Sequence, residues 1–351
     1  MNPIRVGILG FAHGHVDSYC SAWRDKPDLG VRVVAGWDRD GARAETACAK
    51  HSVAKAASAA ELLARPDVDA VVIASETAFH ADLVEQAAAA GKPIVLQKPI
   101  ALTLPEADRI VAAVNRHRVP FTLAWQMRVD PHNLKMKELL ESGRFGRLYM
   151  IRRRHCLTTQ NWKGFETSWH VQPELNRDIF ADDAAHPVDY LLWMLGRPTS
   201  LVAELGTLLN PRIVNDNAVI LFRYADGAFG EVSCSFAATG GENTTEIVFE
   251  KGTIVGNFGE LASSSVPRPP GGIQLKWFHK DDGAWTVSDL PDIVNHGARI
   301  QGLAGPLADF LHGRRPAIAT AEEGRTVLKL ILACYDSASQ GRRIEFDNQG
   351  A

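Results

Sequence analysis

Three residues of this chain are of types that move a proton on and off a hydroxyl: Lys98, Asp182 and His186. They supply an ammonium, a carboxylate and an imidazole that titrates near neutrality. Asp182 and His186 are four apart, so one helical turn would bring them to the same face. Pro187, however, prefers the first turn of a helix, so a regular helix is expected only from His186 onward and the convergence depends on the turn before it. Each residue alone also suits a structural role: Lys98 as a solvated lysine, Asp182 as a helix cap, His186 as a packed helix histidine.

A second group is suited to an anion. Gly10, Ala12 and His15 take the three places of a G-x-G-x-x-G turn between a first strand and a helix, where free N–H groups and the helix dipole favour a pyrophosphate. Ala12 still allows fairly close backbone approach, whereas His15 should loosen the helix–strand packing; an ordinary strand-to-helix turn is the alternative. Asp38 ends the second strand, where a carboxylate accepts hydrogen bonds from ribose hydroxyls and repels a 2'-phosphate, which favours NAD over NADP. Arg39 follows it and could pair with a phosphate or lie over the adenine. A helix N-cap is the other reading of Asp38. His13 and His15, joined by His155, His170 or the Asp178, Asp182, Asp183 group, invite a metal reading. A histidine pair two apart without a matching second pair falls short of one, and no metal is expected.

These groups need a scaffold. The first ~125 residues alternate β-branched runs with Ala-rich helical stretches, as a parallel sheet covered by helices on both faces does. Strands are expected at 4–9, 31–37, 70–74, 93–96 and 121–124, and helices at 15–25, 43–51, 78–90 and 105–116, the third closed by Gly91. After about Trp125 come one helix, 133–142, and strand-like runs at 148–155, 201–208, 218–224, 229–235, 246–250 and 273–278. Turn signals at Asp226-Gly227 and Lys251-Gly252 suit antiparallel neighbours. The segment 263–272 reads as a surface loop and 321–339 as the last helix. The expected fold is α/β: an N-terminal Rossmann-type doubly wound parallel sheet over 1–124, then a C-terminal α+β domain over 125–351 with an open, mostly antiparallel sheet, whose last helix could pack back on the first domain.

Composition removes other classes. The 351 residues are 46% apolar, ample for two cores, and 38 Lys plus Arg against 41 Asp plus Glu leave no basic field for nucleic acid or an anionic membrane. No run approaches the roughly 18 uncharged apolar residues of a membrane helix, and no leader pattern is visible, so a cytoplasmic protein is expected. Five scattered cysteines without a C-x-x-C pair fit reduced thiols.

The segment Gly91-Lys-Pro-Ile-Val-Leu-Gln97-Lys98-Pro99 places a Lys-Pro step directly after the fourth buried strand. It resembles the Glu-Lys-Pro motif of the Gfo/Idh/MocA family of nicotinamide-dependent sugar and polyol oxidoreductases. The resemblance covers most of the chain: Ser75-Glu-Thr77-Ala-Phe-His80 is similar to the loop after strand three. Trp125-Gln126-Met-Arg128-Val-Asp-Pro131 and Leu139 to Gly146 are similar to the strand and helix after the first domain, and Asp182-Asp-Ala-Ala-His186-Pro-Val-Asp189 to the D-x-G-x-H-x-x-D signature. Gln97 replaces the usual Glu, Ala184 the signature's Gly, and Asn176-Arg177 stands where a Gly pair is common, which marks a divergent subgroup.

The resemblance implies that His186 is the acid/base on the reacting hydroxyl, that Lys98 donates a hydrogen bond to that oxygen, and that Asp182 orients substrate or histidine. It implies NAD contacts from Gly10, Phe11, Ala12, His13, Asp38, Arg39, Ser75, Thr77, His80, Gln97, Lys98 and Gln126. A carbohydrate-like substrate would meet Arg128, His155, Trp162, Trp169, His170 and Asp182, since Trp faces pack on sugar C–H faces while Arg and His bond hydroxyls. Sheet-packing Trp and solvated Arg are the alternative. The expected activity is an NAD-dependent dehydrogenase of a sugar, polyol or sugar-derived acid. Two other readings stay open: an enzyme using transient oxidation for elimination, epimerisation or glycoside cleavage, and a non-enzymatic NAD(P)-binding regulator. The open face of the C-terminal sheet suits a homodimer or homotetramer.

Overall fold

The computed structural model describes residues 2–259 and 270–346. The chain forms two compact units: Met1–Val129 with Glu174–Asn176 and Gly297–Leu328, and Asp130–Pro173 with Arg177–His296 and Lys329–Ala351. The compact units exchange at Val129/Asp130, a few residues past the expected boundary region, and the chain re-enters the first one twice.

The first unit alternates β1 (Ile4–Leu9), α1 (His15–Asp25), β2 (Val31–Trp37), α2 (Gly41–His51), β3 (Ala54–Lys55), α3 (Ala59–Ala64), β4 (Ala70–Ile73), α4 (His80–Ala89), β5 (Ile94–Leu96), α5 (Leu104–His117) and β6 (Phe121–Leu123). Its six strands are parallel in the order β3-β2-β1-β4-β5-β6. β4, β5 and β6 are buried at every residue, as strands covered on both faces must be, which is why β4 and β5 read as unbroken apolar runs. Polar side chains start the helices: Asp40 caps α2, Ser58 caps α3, and Thr103 with Glu106 forms a capping box on α5. The strand order reverses between β1 and β4, and there the loops after both strands meet. Gly10 adopts φ +91°, and a Cβ on it would lie 2.5 Å from the backbone N and Cα of Ser75. The same turn is fixed by Gly10 N–H to the Trp37 carbonyl (2.7 Å) and His13 N–H to the Ala74 carbonyl (3.0 Å).

The returning segment closes this core. Ala319 accepts from the Leu123 N–H at 2.9 Å, Thr122 Oγ1 from the Ile318 N–H at 2.8 Å, and the Trp23 indole donates to the Ala304 carbonyl at 2.9 Å.

The second unit carries α6 (Pro131–Glu141), β7 (Leu148–Cys156), the short α7 (Pro173–Asn176), whose last three residues belong to the first unit, a π-helical turn (Phe180–Ala184), and α8 (Ala185–Leu195). Then come β8 (Ser200–Gly206), β9 (Asn217–Arg223), β10 (Phe229–Ser235), β11 (Thr244–Phe249), β12 (Gly252–Asn257), β13 (Leu275–His279) and β14 (Trp285–Val287). After α9 (His296–Gln301), α10 (Ala304–Leu311) and α11 (Ala321–Gln340), β15 (Ile344–Glu345) completes a nine-stranded sheet of order β14-β13-β12-β11-β7-β10-β9-β8-β15. Only β7 and β10 pair in parallel. Burial alternates along β9, β10 and β11: one face is covered, with α8 against β7 and β10, while the other presents Val219 and Phe229.

The α/β reading holds, and β1, α1, β2 and β10 have the expected bounds. β12 was hidden because Lys251-Gly252 reads as a turn alone. Gly252 also opens a strand there, since a Cβ on it would run into the Phe278 carbonyl oxygen of β13. Residues 263–269 of the expected loop lie outside the described residues.

Replacing Gly10 by Ala should therefore lower stability by about 2–4 kcal/mol, from left-handed strain plus a clash with backbone that has no rotamer to relieve it. Urea unfolding followed by circular dichroism measures this; an unchanged midpoint would show that the two loops do not touch as described.

Candidate functional site

In the first unit the turn after β1 is tied to the end of β2. The Phe11 N–H donates to Asp38 Oδ2 at 2.6 Å and the Asp40 N–H to Oδ1 at 2.8 Å. Arg43 grips the same carboxylate through Nε and Nη2, both at 2.8 Å, and reaches Glu76 at 2.6 Å. Four donors thus meet the roughly four acceptor positions of the ionised Asp38 from within the chain. An incoming ribose would have to exchange with one of them. The helix cap is Asp40 rather than Asp38. Burial works against the Arg43 charge and is overcome by the hydrogen bonds to Asp38 and Glu76, so its pKa lies above the ordinary value.

Beside this network, Trp37, Arg39, Ser75, Glu76, Phe79 and Leu83 line a recess of about 300 Å³. The Arg39 guanidinium covers the Phe79 ring at 4.1 Å, a flat polarisable floor suited to a purine. α1 begins at Gly14 with no side-chain cap, and a Cβ on Gly14 would meet nothing within 4 Å, so the helix start has room for a phosphate. His13 Nδ1 accepts from the His15 N–H at 3.4 Å and the two rings pack edge to face, 4.4 Å apart. With Ala12 between Phe11 and His13, the turn fits a dinucleotide.

The loops after β4 and β5 are held by His80. Its Nδ1–H donates to the Pro99 carbonyl at 2.9 Å and its Nε2 lies 3.3 Å from the Ser75 carbonyl. Ser75 Oγ donates to the Glu76 carbonyl (3.1 Å) and Thr77 Oγ1 to Asn176 Oδ1 (2.5 Å). Gln97 donates to the Tyr19 hydroxyl at 2.6 Å, and burial pushes that phenol's pKa up. Lys98, followed by a cis bond to Pro99, is 3% exposed. Gln126 is buried in the turn after β6, and Arg128 in the same turn donates to Glu323 (2.6 Å) and the Ile318 carbonyl (3.3 Å).

In the second unit the π-helical turn aims adjacent acids at different histidines. His170 Nδ1–H donates to Asp182 Oδ2 at 2.8 Å, and the Trp169 ring stacks on His170, 3.9 Å between centres. Phe165 also stacks on His170 at 5.7 Å and Trp162 meets Phe165 edge-on at 5.0 Å. His155 donates to Asp183 Oδ2 at 2.8 Å, and Asp183 Oδ1 is 3.8 Å from His186 Nε2. The turn is anchored by Asp178, which accepts from Ala181 N–H (2.8 Å), Tyr335 (2.6 Å) and Asn215 (2.7 Å) while burial pushes its carboxyl up. Among the described residues no three His, Cys, Asp or Glu side chains are arranged to hold a metal ion.

The structure thus groups Gly10, Phe11 and Asp38; Ser75, His80 and Pro99 next to Lys98; Trp162, Trp169, His170 and Asp182; and His155 with His186. Lys98 belongs to the first unit, Asp182 and His186 to the second. Arg43, Glu76 and Asn176 stand in these networks without having been named as site candidates, and Asp183 was weighed only for a metal. Arg43 carried a signal, a cation in the first turn of the helix after Asp38, and Asn176 one too, as a departure from a Gly pair. Arg43→Met leaves two carboxylates facing each other and should cost about 2 kcal/mol, read as a lower thermal midpoint; no change would mean water replaces the guanidinium without penalty.

Residues 4–124 match the model of an oxidoreductase family's NAD-binding Rossmann fold, and residues 133–255 that of the GFO/IDH/MocA C-terminal domain. The uncharacterized oxidoreductase YrbE of Bacillus subtilis is 29% identical over 55% of this chain, which spans 56% of that relative's length. The myo-inositol dehydrogenase Hyg17 of Streptomyces leeuwenhoekii is 26% identical over 96% of this chain and 95% of its own. An oxidoreductase from Agrobacterium radiobacter, solved with NAD+, L-tartaric acid and magnesium, superposes with a TM-score of 0.81 at 25% identity over 98% of both chains. No helix among the described residues is long and apolar enough to cross a membrane.

Proposed function

Because this chain belongs to the GFO/IDH/MocA family and its first unit is an NAD-binding Rossmann domain, we propose that it is an NAD-dependent dehydrogenase of a secondary alcohol in a sugar, polyol or sugar-derived acid. The observation that carries this reading is that Lys98, Asp182 and His186 are each only 3% exposed. Ionisable groups are withdrawn from water at a cost that a purely structural role rarely justifies. Two relatives add to it: Hyg17 acts on myo-inositol by its name, and the Agrobacterium protein was solved with a hydroxy acid.

In this reading His186 takes the proton of the reacting hydroxyl and returns it in the reverse direction. Lys98 donates a hydrogen bond to that oxygen and stabilises the negative charge growing on it. Asp182, fixed by His170, orients a neighbouring hydroxyl, and Trp169 offers an apolar face to the substrate's C–H groups. When bound, the nicotinamide takes up or gives back the hydride. Gly10, Phe11, Ala12 and His13 hold the pyrophosphate, and Trp37, Arg39 and Phe79 the adenine. Asp38 and Glu76 disfavour a 2'-phosphate, which makes NAD the preferred form.

The reading is tested by NADH formation with a panel of inositols, pentoses, hexoses and aldonic acids, together with calorimetric titration of NAD. Lys98→Met and His186→Asn should each lower kcat at least about 100-fold while leaving NAD affinity within about threefold. Wild-type protein that binds NAD and turns over nothing on the panel would sink the reading.

We also propose that a second copy covers the open sheet face. Arg152 there pairs with Glu231 (3.1 Å) and Glu246 (3.5 Å), flanked by exposed Val219 and Phe229. Light scattering at micromolar concentration should give a dimer or tetramer; a monomer refutes it.

A further inference from the structure

Adjacent residues on a helical turn point in different directions, so the Asp182-Asp183 pair addresses two different histidines. Asp182 serves His170. Asp183 sits between His155 of β7 and His186 at the start of α8, with its two oxygens 2.8 Å and 3.8 Å from their Nε2 atoms. The two imidazole centres are 5.9 Å apart, and all three residues are buried.

The two contacts are not equivalent. A carboxylate accepts, so His155 must present Nε2–H to it. His155 Nδ1 is buried and has no hydrogen-bond partner among the described residues, which suits the neutral tautomer with a bare nitrogen there. His155 therefore acts as a fixed donor that holds the carboxylate. The second oxygen faces His186 at a distance too long for a hydrogen bond and short enough for charge to be felt.

We propose that Asp183, held by His155, is the positioning residue of the His186 acid/base: it presents a fixed negative charge that favours the His186 imidazolium formed when a substrate hydroxyl loses its proton. His186 Nε2 faces Asp183, so Nδ1 is the nitrogen that exchanges the proton. This rests on the dehydrogenase reading for its use, though not for its geometry. Other titratable and charged groups border the cluster. Burial pushes the Cys234 thiol of β10 well up, aided by Cys156, Asp183 and Cys334, with Arg153 opposing. Arg153 itself donates to Thr245 and lies over the Phe258 ring at 4.7 Å. Asp182 is engaged by His170.

The test is a ¹⁵N-imidazole NMR titration of the full chain, assigned with His186→Gln. Asp183→Asn keeps the shape and an acceptor for His155, removes the charge and turns an amide NH2 toward His186. The pH at which His186 titrates should fall by about one unit or more. Asp183→Glu, which keeps the charge, should fall less. A change under about 0.3 unit in Asp183→Asn overturns the proposal. Should that variant not fold, His155→Gln, whose amide still donates, should keep the wild-type midpoint while His155→Leu lowers it; equal midpoints overturn the proposal as well. Where a substrate is found, the acid limb of kcat/KM should move down with the NMR midpoint, with kcat changing more than KM. A shifted midpoint without turnover on any substrate sinks the dehydrogenase reading alone, whereas turnover with an unmoved limb sinks the role of Asp183 alone.

Discussion

The first unit depends on one close approach of backbone to backbone, the turn after β1 against the loop after β4. A side chain at Gly10 would occupy the place of the Ser75 main chain. From that point a series of contacts runs outward. The Ser75 carbonyl lies 3.3 Å from His80 Nε2, His80 Nδ1–H donates to the Pro99 carbonyl, and Pro99 carries Lys98. The position of a buried lysine is thereby linked to a glycine almost ninety residues earlier, through three loops at the carboxyl ends of neighbouring strands. Such ends are where an open parallel sheet leaves a crevice, because adjacent connections leave on opposite faces.

The second unit solves a different problem, keeping several charges dry at once. Asp178, Asp182 and Asp183 fall within six residues, all buried. Each has its own donor: Tyr335 and Asn215 for the first, His170 for the second, His155 for the third. A regular helix would space the three acids by its own period. The π-helical turn from Phe180 to Ala184 widens one turn before α8 begins, and such turns recur where side chains are re-aimed for function.

Much of this was legible in the residues. Buried parallel strands announce themselves as unbroken Val and Ile runs, and Pro105 and Gly91 mark helix ends by mechanisms that do not depend on tertiary context. Lys98, Asp182 and His186 were picked out as candidates by their order along the chain. What stayed hidden was geometry set by single atoms. No periodicity shows that Asp38 is already occupied by Arg43, because that contact crosses from a strand end to a helix face. Nor does any pattern show that Arg128, expected to meet substrate, also donates to Glu323 and the Ile318 carbonyl. Pro187 did signal an interrupted helix before His186. The kind of interruption, and hence the partner of each acid, required coordinates.

The five cysteines have a use unconnected with chemistry at the site. All are buried and free, and burial pushes Cys20 up to about 12 and raises Cys48, Cys234 and Cys334 as well. Thiolate, the reactive form, is therefore scarce in the native protein, and reagent reaches sulfur only when packing opens. Cys20 and Cys48 lie in one unit and Cys156, Cys234 and Cys334 in the other. Alkylation resolved peptide by peptide would then act as a pair of clocks native to the chain, timing the opening of each unit separately and showing whether the two melt as one cooperative body.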